Sequence, residues 1–468
     1  MSRLPESWAA LSLGEVISYG QTDKAEPGDI GSHEWVLELE DIEKDTSRVI
    51  NRLSFAQRQS KSTKNRFKKG DVLYGKLRPY LNKVVRADDD GVCTTEIIPI
   101  RGNAAVSASY LFYWLKHPVF LTYVSDVSHG VNMPRLGTEA GRAAPFVLAP
   151  LPEQRRIADK LDTTLARVDA CRDRLARVAP LLKRFRQSVL AAATSGRLTE
   201  DWRAKQVKQP DEIHDSIPAF EGVTPWTVPD KWRWVRVESI CEFITKGTTP
   251  AKEKMAAGSG EIPYLKVYNL TFNGMLDFTV DPTYVDRQTH ENELKRSVVV
   301  PHDVLMNIVG PPLGKVSVVP DTFPEWNINQ AIARFRPRDK VNSRYLADCL
   351  MSSALIDYAA RQAKATAGQF NLTLEICRDL PIPLPHMVEQ LEIVHRVETL
   401  LAFADRLEAR LTSAQTAADR LTPALLAKAF RGELVPQDPN DEPASELLKR
   451  LTAQRAAEPN PKRTRKAG

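Results

Sequence analysis

The chain has 468 residues, of which 42% are apolar and 26% charged, levels that exclude a collagen-like, mainly disordered or disulfide-stapled protein. At roughly 150 residues per domain the length predicts about three units. The 65 Lys and Arg against 59 Asp and Glu leave a formal charge of +6, an excess that permits nucleic acid as a partner without demanding it. The five cysteines, Cys93, Cys171, Cys241, Cys349 and Cys377, form no CxxC pair. Reduced thiols in a cytoplasmic protein are therefore expected, with no zinc site and no disulfide framework. No apolar stretch approaches the roughly 18 residues that span a membrane. The polar opening, with Pro5 and Trp8, does not read as a signal peptide.

In chain order, Leu4-Pro5-Glu6-Ser7-Trp8 opens a mixed region of short apolar runs broken by Gly, Pro and Asp. Strands are predicted at Asp71–Gly75, Leu81–Val85 and Glu96–Ile100, followed by a helix over Ala108–Tyr123. Pro150-Leu151-Pro152 with Glu153-Gln154 then leads into a long helix, which ends at Gly196-Arg197-Leu198. Residues 203–225, with Pro210, Pro218 and Pro225, read as a linker. The order then repeats. Val228-Pro229-Asp230-Lys231-Trp232 answers the opening, and strands are expected at Asp303–Asn307, Gly314–Val319 and Ala331–Phe335, with a helix over Ser343–Ala363. Pro383-Leu384-Pro385 with Glu389-Gln390 leads into a second long helix, and Gly432-Glu433-Leu434 follows it. The tail is rich in Pro and charge apart from a helical piece at Glu442–Leu451, and disorder is expected at Lys462, Arg463, Arg465 and Lys466.

Both long helices carry a seam at alternating spacings of four and three. In the first it runs Ile157, Leu161, Thr164, Val168, Cys171, Leu175, Val178, Leu182, Phe185, Val189 and Ala192. In the second it runs Ile393, Val397, Leu400, Ala404, Leu407, Leu411, Ala414, Ala418, Leu421, Leu425 and Lys428. Each seam covers about 36 residues, roughly 55 Å at 1.5 Å per residue. Pro180 and Pro423 are expected to kink or break the helices locally. Such narrow stripes predict that the two helices pair, antiparallel if the halves are related by a pseudo-twofold axis; packing of each helix on its own domain is the alternative.

The expected architecture is thus α+β: residues 1–150 and 226–383 form two mixed domains, 151–202 and 384–436 two spacer-helix regions, 203–225 the linker and 437–468 the tail.

Motifs for autonomous chemistry are missing. Gly310-Pro311-Pro312-Leu313-Gly314-Lys315-Val316 is one residue short of a Walker A loop and lacks its hydroxyl. It also lacks the polar and aromatic ends of an adenine-methyltransferase Pro-Pro motif. No metal-ligating histidine pair occurs, and neither catalytic nor metal residues are expected. Basic residues are more informative. Arg58, Lys61, Lys64, Arg66, Lys68, Lys69, Lys76, Arg78 and Lys83 crowd one window with Tyr74 and Tyr80 interleaved, a pattern able to neutralise phosphates and bring Arg and Tyr to base edges. A solvated surface explains the window equally well. A looser set in the second half comprises Lys246, Lys252, Lys254, Lys266, Tyr268, Asn269, Lys295, Arg296 and Lys315. Corresponding loops before each Pro-Leu-Pro, with Asn132 and Arg135 in one and Gln369 and Asn371 in the other, offer amides suited to adenine.

The repeated order of Pro-x-x-Trp, Asp-Val-Leu, Pro-Leu-Pro, Glu-Gln, heptad helix and Gly-x-Leu resembles the specificity subunit of Type I restriction–modification enzymes over nearly the whole chain. Lys69–Leu81 is similar to one form of that family's target-recognition domain. Asp303-Val304-Leu305 with Gly314-Lys315-Val316 and Asn329-Gln330-Ala331 is similar to another. The tail Asp441–Leu448 is similar to the family's C-terminus, whereas His386-Met387-Val388, inserted before Glu389, and the two helix prolines depart from the pattern.

The resemblance implies that each recognition domain reads one half of a split, asymmetric DNA site, with the paired helices fixing the gap. It implies partners: double-stranded DNA, two modification subunits docked on the helices, and restriction/translocase subunits. S-adenosylmethionine, ATP and Mg would be bound in those partners and none by this chain. A coiled-coil interaction scaffold that does not read DNA, or an enzyme with an unrecognised site, are the rival readings.

Overall fold

The computed structural model describes residues 4–128, 133–206, 217–310, 312–367 and 371–457. They form two compact units, one from Met1–Ala176 with Ser413–Gly468 and the other from Arg177–Thr412. Each unit therefore holds one mixed domain, the first turns of the long helix that follows it and the last turns of the other long helix.

In the first unit, Ala9–Ser12 pairs antiparallel with Pro145–Leu148. Val72–Gly75 is the centre of a three-stranded sheet between Val84–Arg86 and Ile97–Ile100. A five-stranded sheet orders Asp23–Ala25, Lys64–Phe67, Gly91–Thr94, Trp35–Leu37 and Leu53–Ser54. In the second unit, Arg233–Arg236 pairs with Pro381–Leu384. A four-stranded sheet runs Cys241–Lys246, Ile332–Pro337, Val304–Asn307, Val316–Val318, and a five-stranded one runs Met255–Ala257, Thr283–Val285, Ile262–Leu265, Trp326–Ile328, Val298–Val299.

The predicted strands and helices fall close to these elements, with local differences. The Leu81–Val85 strand starts only at Val84, because Asn82 takes a left-handed φ of 47°. The first mixed-domain helix is two, Ala108–Trp114 and Pro118–Val127; Pro118 starts the second and His117 Nδ1 caps it by accepting from the Val119 N–H. Its counterpart divides into Ser343–Met351 and Ser353–Ala367. The linker's far end is tied down, since the Phe220 N–H donates to Trp234 O. Tail helix Ala444–Ala457 buries Ala444 and Leu447 in the first unit's core; Lys462 to Lys466 lie outside the described residues.

Leu151–Thr194 and Met387–Ala429 are each one helix, and neither proline breaks its helix. They pair antiparallel within both units. In the first, Ile157 and Leu161 share a core with Leu426, Ala429 and Phe430, while further along Arg172 donates to Ala418 O. In the second, Arg186 bridges Asp405 and Glu408, Arg396 donates to Leu198 O, and Arg203 meets Glu389. The seam residues Ile157, Leu161, Val168, Leu175, Val397, Leu400, Leu407 and Leu411 are buried or half-buried. At three positions the seam is displaced by one residue: Cys171, Leu421 and Lys428 are exposed, and Arg172, Thr422 and Ala429 are half-buried or buried instead. A 3.6-residue turn drifts from a strict heptad by about 20° per repeat, which accounts for the displacement at Leu421 and Lys428, near the end of the second seam.

The repeated landmarks are matching buried clamps. Trp8 Nε1 donates to Glu153 Oε2 at 2.8 Å, and Trp232 Nε1 donates to Glu389 Oε2 at 2.9 Å. Gln154 Oε1 accepts from Ser107 N–H, and its amide donates to Ala105 O and Ala149 O. Gln390 does the same with Asn342 N–H, Lys340 O and Pro385 O. Buried Asp71 receives a two-pronged Arg101 guanidinium while capping Lys68 N–H; buried Asp303 receives Arg336 and caps Val300 N–H. Gly196 and Gly432 share a φ of +76°. A Cβ on either would meet the opening proline of the other half, Pro229 Cγ at 2.5 Å or Pro5 Cγ at 2.4 Å. The glutamates differ in one respect. Glu389 is also held by Arg203, whereas Glu153 takes the neutral Gln437 amide, and burial raises its pKa.

Candidate nucleic-acid interface

The basic window of the first half does not form one patch. Val72–Gly75 divides it, and four strand residues span about 13 Å. At one end Lys68 pairs with Asp90, and the Lys69 N–H donates to the same carboxylate. Exposed Lys61 lies before the Lys64–Phe67 strand. Lys64 is buried at 3% exposure in an ion pair with Glu38, and Arg66 is held by Glu34. These two cations brace the five-stranded sheet. Tyr74 is 1% exposed, with its ring against Tyr19 and Phe120, and burial pushes its hydroxyl pKa up. Its expected place at a base edge is corrected by this burial: it is a core residue.

At the other end a second group comes together. Leu136 N–H donates to Lys76 O, Leu77 bridges Arg135, and Arg78 N–H donates to Pro134 O at 2.7 Å. This pairing gathers half-buried Lys76 with Arg78, Tyr80, Met133 and Arg135. Arg135 pairs with Glu96. Among the described residues Lys76 and Arg78 have no acidic partner within salt-bridge distance. Asn132 lies outside the described residues.

The second half has the same frame with different side chains. Leu372 N–H donates to Ile308 O as Leu136 does to Lys76, and Gly310 N–H donates to Asn371 Oδ1. Arg78 and Gly310 both have left-handed backbones, with φ of 49° and 80°. Beside this loop half-buried Lys315 places its ammonium 5.9 Å from the Phe272 ring. Lys266 and exposed Tyr268 both reach Asp281. Burial alone would lower the Lys266 pKa, but the Tyr268 hydroxyl and Asp281 carry it above its ordinary value. Lys246 is exposed at the end of its strand. Asn269, expected at a base edge, is 1% exposed and holds a turn through Lys266 N–H, Asp277 O and Val280 O. That expectation is corrected as well. Gln369 lies outside the described residues.

Sequence reasoning passed over Phe272 and Met275, which are 55% and 61% exposed. Asn273-Gly274 between them is the turn signal that could have found them. Among the described residues no group of His, Cys, Asp and Glu could hold a metal ion, and no helix is long and apolar enough to cross a membrane.

A family model described as the Type I restriction modification DNA specificity domain matches residues 229–414. The EcoBI specificity subunit of Escherichia coli is 31% identical over 368 residues, 76% of this chain and 74% of that protein. The EcoDI specificity subunit of Escherichia coli is 26% identical over 485 residues, covering 99% of each. Among solved structures, a chain of a type I R-M system superposes on 92% of this chain and 100% of its own length with a TM-score of 0.67; at 21% identity it bears on the fold alone. Two differently armed loops on one repeated, polar-clamped frame, together with these matches, place the chain among the specificity subunits of Type I restriction enzymes, where it serves DNA sequence recognition within the restriction–modification complex.

Proposed function

We propose that the chain reads a two-part, asymmetric DNA site, one half with each mixed domain, and itself carries out no covalent step. The observation that carries this reading is a shared frame with unlike contents. A corresponding backbone bond, Leu136 N–H to Lys76 O in one unit and Leu372 N–H to Ile308 O in the other, stands beside Lys76, Arg78 and Arg135 in the first and beside Gly310 and Asn371, joined through the Asn371 side chain, in the second. Side chains that differ so much present different donors and charges to a groove, so the two half-sites differ. The paired helices fix the gap and dock two modification subunits. Exposed Val388, Leu391 and Phe403 on the second long helix offer apolar area for this docking. Restriction/translocase subunits complete the assembly, S-adenosylmethionine, ATP and Mg act in those partner chains, and the complex works in the cytoplasm.

Mapping methylated adenines in the native genome with and without the gene tests the proposal. A split asymmetric motif that vanishes on deletion is expected; an unchanged methylome overturns it. Inserting one heptad into both long helices should lengthen the unread gap and leave both half-sites intact.

A further inference from the structure

The Thr271–Met275 turn is an exposed apolar feature of the second unit fixed by several hydrogen bonds. Leu270 and Leu276 bridge antiparallel, and Asn273-Gly274 forms the tip, with Gly274 at a φ of +80°. Thr271 Oγ1 donates to Met275 O at 2.5 Å, and Met275 N–H donates to Asn273 Oδ1 at 3.0 Å. The neighbouring strand fastens the turn from one side, with Val316 N–H to Thr271 O and Val318 N–H to Gly274 O. Arg344 fastens it from the other, donating to Asn273 O at 2.9 Å. On this turn Phe272 and Met275 stand 55% and 61% exposed.

Single exposed apolar residues are commonplace. Two large ones side by side on a turn locked by backbone, hydroxyl and guanidinium bonds form a presented surface, because a rigid projection loses little entropy when it binds. The flanking charge selects the occupant. The Lys315 ammonium lies 5.9 Å from the Phe272 ring and no acid pairs with it among the described residues, whereas Lys266 on the preceding segment is held by Asp281. An apolar tip beside an unpaired cation matches duplex DNA, where the cation meets a phosphate and the tip meets base edges or enters a base step.

We propose that Phe272 and Met275 form a wedge that seats in the DNA groove at the second half-site and partly unstacks one base step. The proposal rests on the DNA-reading function above and assigns it two further specificity-determining side chains. It also explains why Arg344 grips this turn: the tip must not yield when it meets stacked bases.

The test uses the full chain assembled with its modification subunits and a duplex bearing the cognate site, identified by adenine mapping. 2-Aminopurine is placed in turn at each position of the second half-site. The wild-type complex should brighten one position. The double variant Phe272→Ala with Met275→Ala should lose that signal and about tenfold or more in cognate affinity. Its salt dependence should stay unchanged because neither side chain carries a charge that could hold a phosphate, and Phe272→Leu should retain most of the affinity. The wedge is overturned if the double variant matches wild type in signal and affinity, or if it assembles poorly with the modification subunits, which would make the tip a protein-binding surface. A wild-type complex with no preference for the cognate duplex would instead overturn the DNA-reading function beneath it.

Discussion

Gln154 and Gln390 offer a measurement on both halves at once. Each is fully buried and makes three hydrogen bonds: 2.9, 2.8 and 2.9 Å for Gln154, and 2.8, 3.1 and 3.0 Å for Gln390. Methionine keeps the length and most of the volume but supplies neither the acceptor nor the donors. Gln154→Met therefore strands the Ser107 N–H and two carbonyls, and Gln390→Met strands their counterparts. An orphaned buried polar group costs about 1–3 kcal/mol. The three are neighbours and relax together, so about 2–5 kcal/mol per site is expected rather than their sum. Equal geometry implies costs within about 1 kcal/mol of one another. Urea unfolding of the full chain, read together with hydrogen exchange at the Ser107 and Asn342 amides, measures both the cost and its location. Each variant should lose protection at its own amide only. Unchanged protection, or a large cost at one site and none at the other, would refute the view that Glu-Gln after Pro-Leu-Pro is a repeated structural clamp.

Three further outcomes are expected from particular side chains. Alanine at Lys76 and Arg78 should reduce the salt slope of DNA binding by about one unit for each phosphate no longer neutralised, whereas Lys68→Ala, whose cation already has Asp90, should change it little; equal effects would contradict the division of the basic window. Gly196→Ala and Gly432→Ala each combine a left-handed φ with a Cβ within 2.5 Å of a proline ring. Each should cost about 1–3 kcal/mol in a thermal melt, and a neutral result would remove the role given to Gly-x-Leu. Asp348 is fully buried, and desolvation raises its carboxyl pKa to about 7, against the nearby Arg344 and with Glu398 adding to the rise. Its folded pKa lies above its unfolded value, so the folded state binds the extra proton and stability falls as pH rises from about 4 to 7. Asp348→Asn should flatten that slope in unfolding titrations, and an unaltered slope would refute the assignment.

The heptad seams, the clamps and most strands of the smaller sheets were legible because each depends on local spacing or on a short signature written twice. The five-stranded sheets were not, because strands as short as Trp35–Leu37 and Thr283–Val285, three residues each, give alternation no room to register. The candidate interface was half legible. Charge density is visible in a sequence, but the burial that turned Lys64, Tyr74 and Asn269 inward depends on the partners Glu38, Phe120 and Val280, which lie far from them or carry no charge signal. The slip of the seam at Leu421 and Lys428 was hidden for a simpler reason: an integral heptad cannot express a 3.6-residue turn over about five repeats.

Arg78 and Gly310 show how the two halves differ at one position of the frame. The frame requires a left-handed residue where this loop turns back toward the segment before Pro-Leu-Pro, and both positions comply, at 49° and 80°. Glycine adopts that conformation freely, whereas a residue with a Cβ gives up about 1–2 kcal/mol. The second half takes the relaxed solution and presents Asn371 and Lys315 instead. The first half keeps a long cation there at the cost of backbone strain, and strain held at one residue of an otherwise well-clamped frame points to the side chain as the reason for keeping it. Arg78→Gly should accordingly leave stability within about 1 kcal/mol of wild type, relief of strain offsetting the greater freedom of the unfolded chain, while weakening binding at the first half-site. A variant that lost stability but bound DNA normally would reverse the argument, making the arginine a structural residue and its left-handed backbone an accident of the loop.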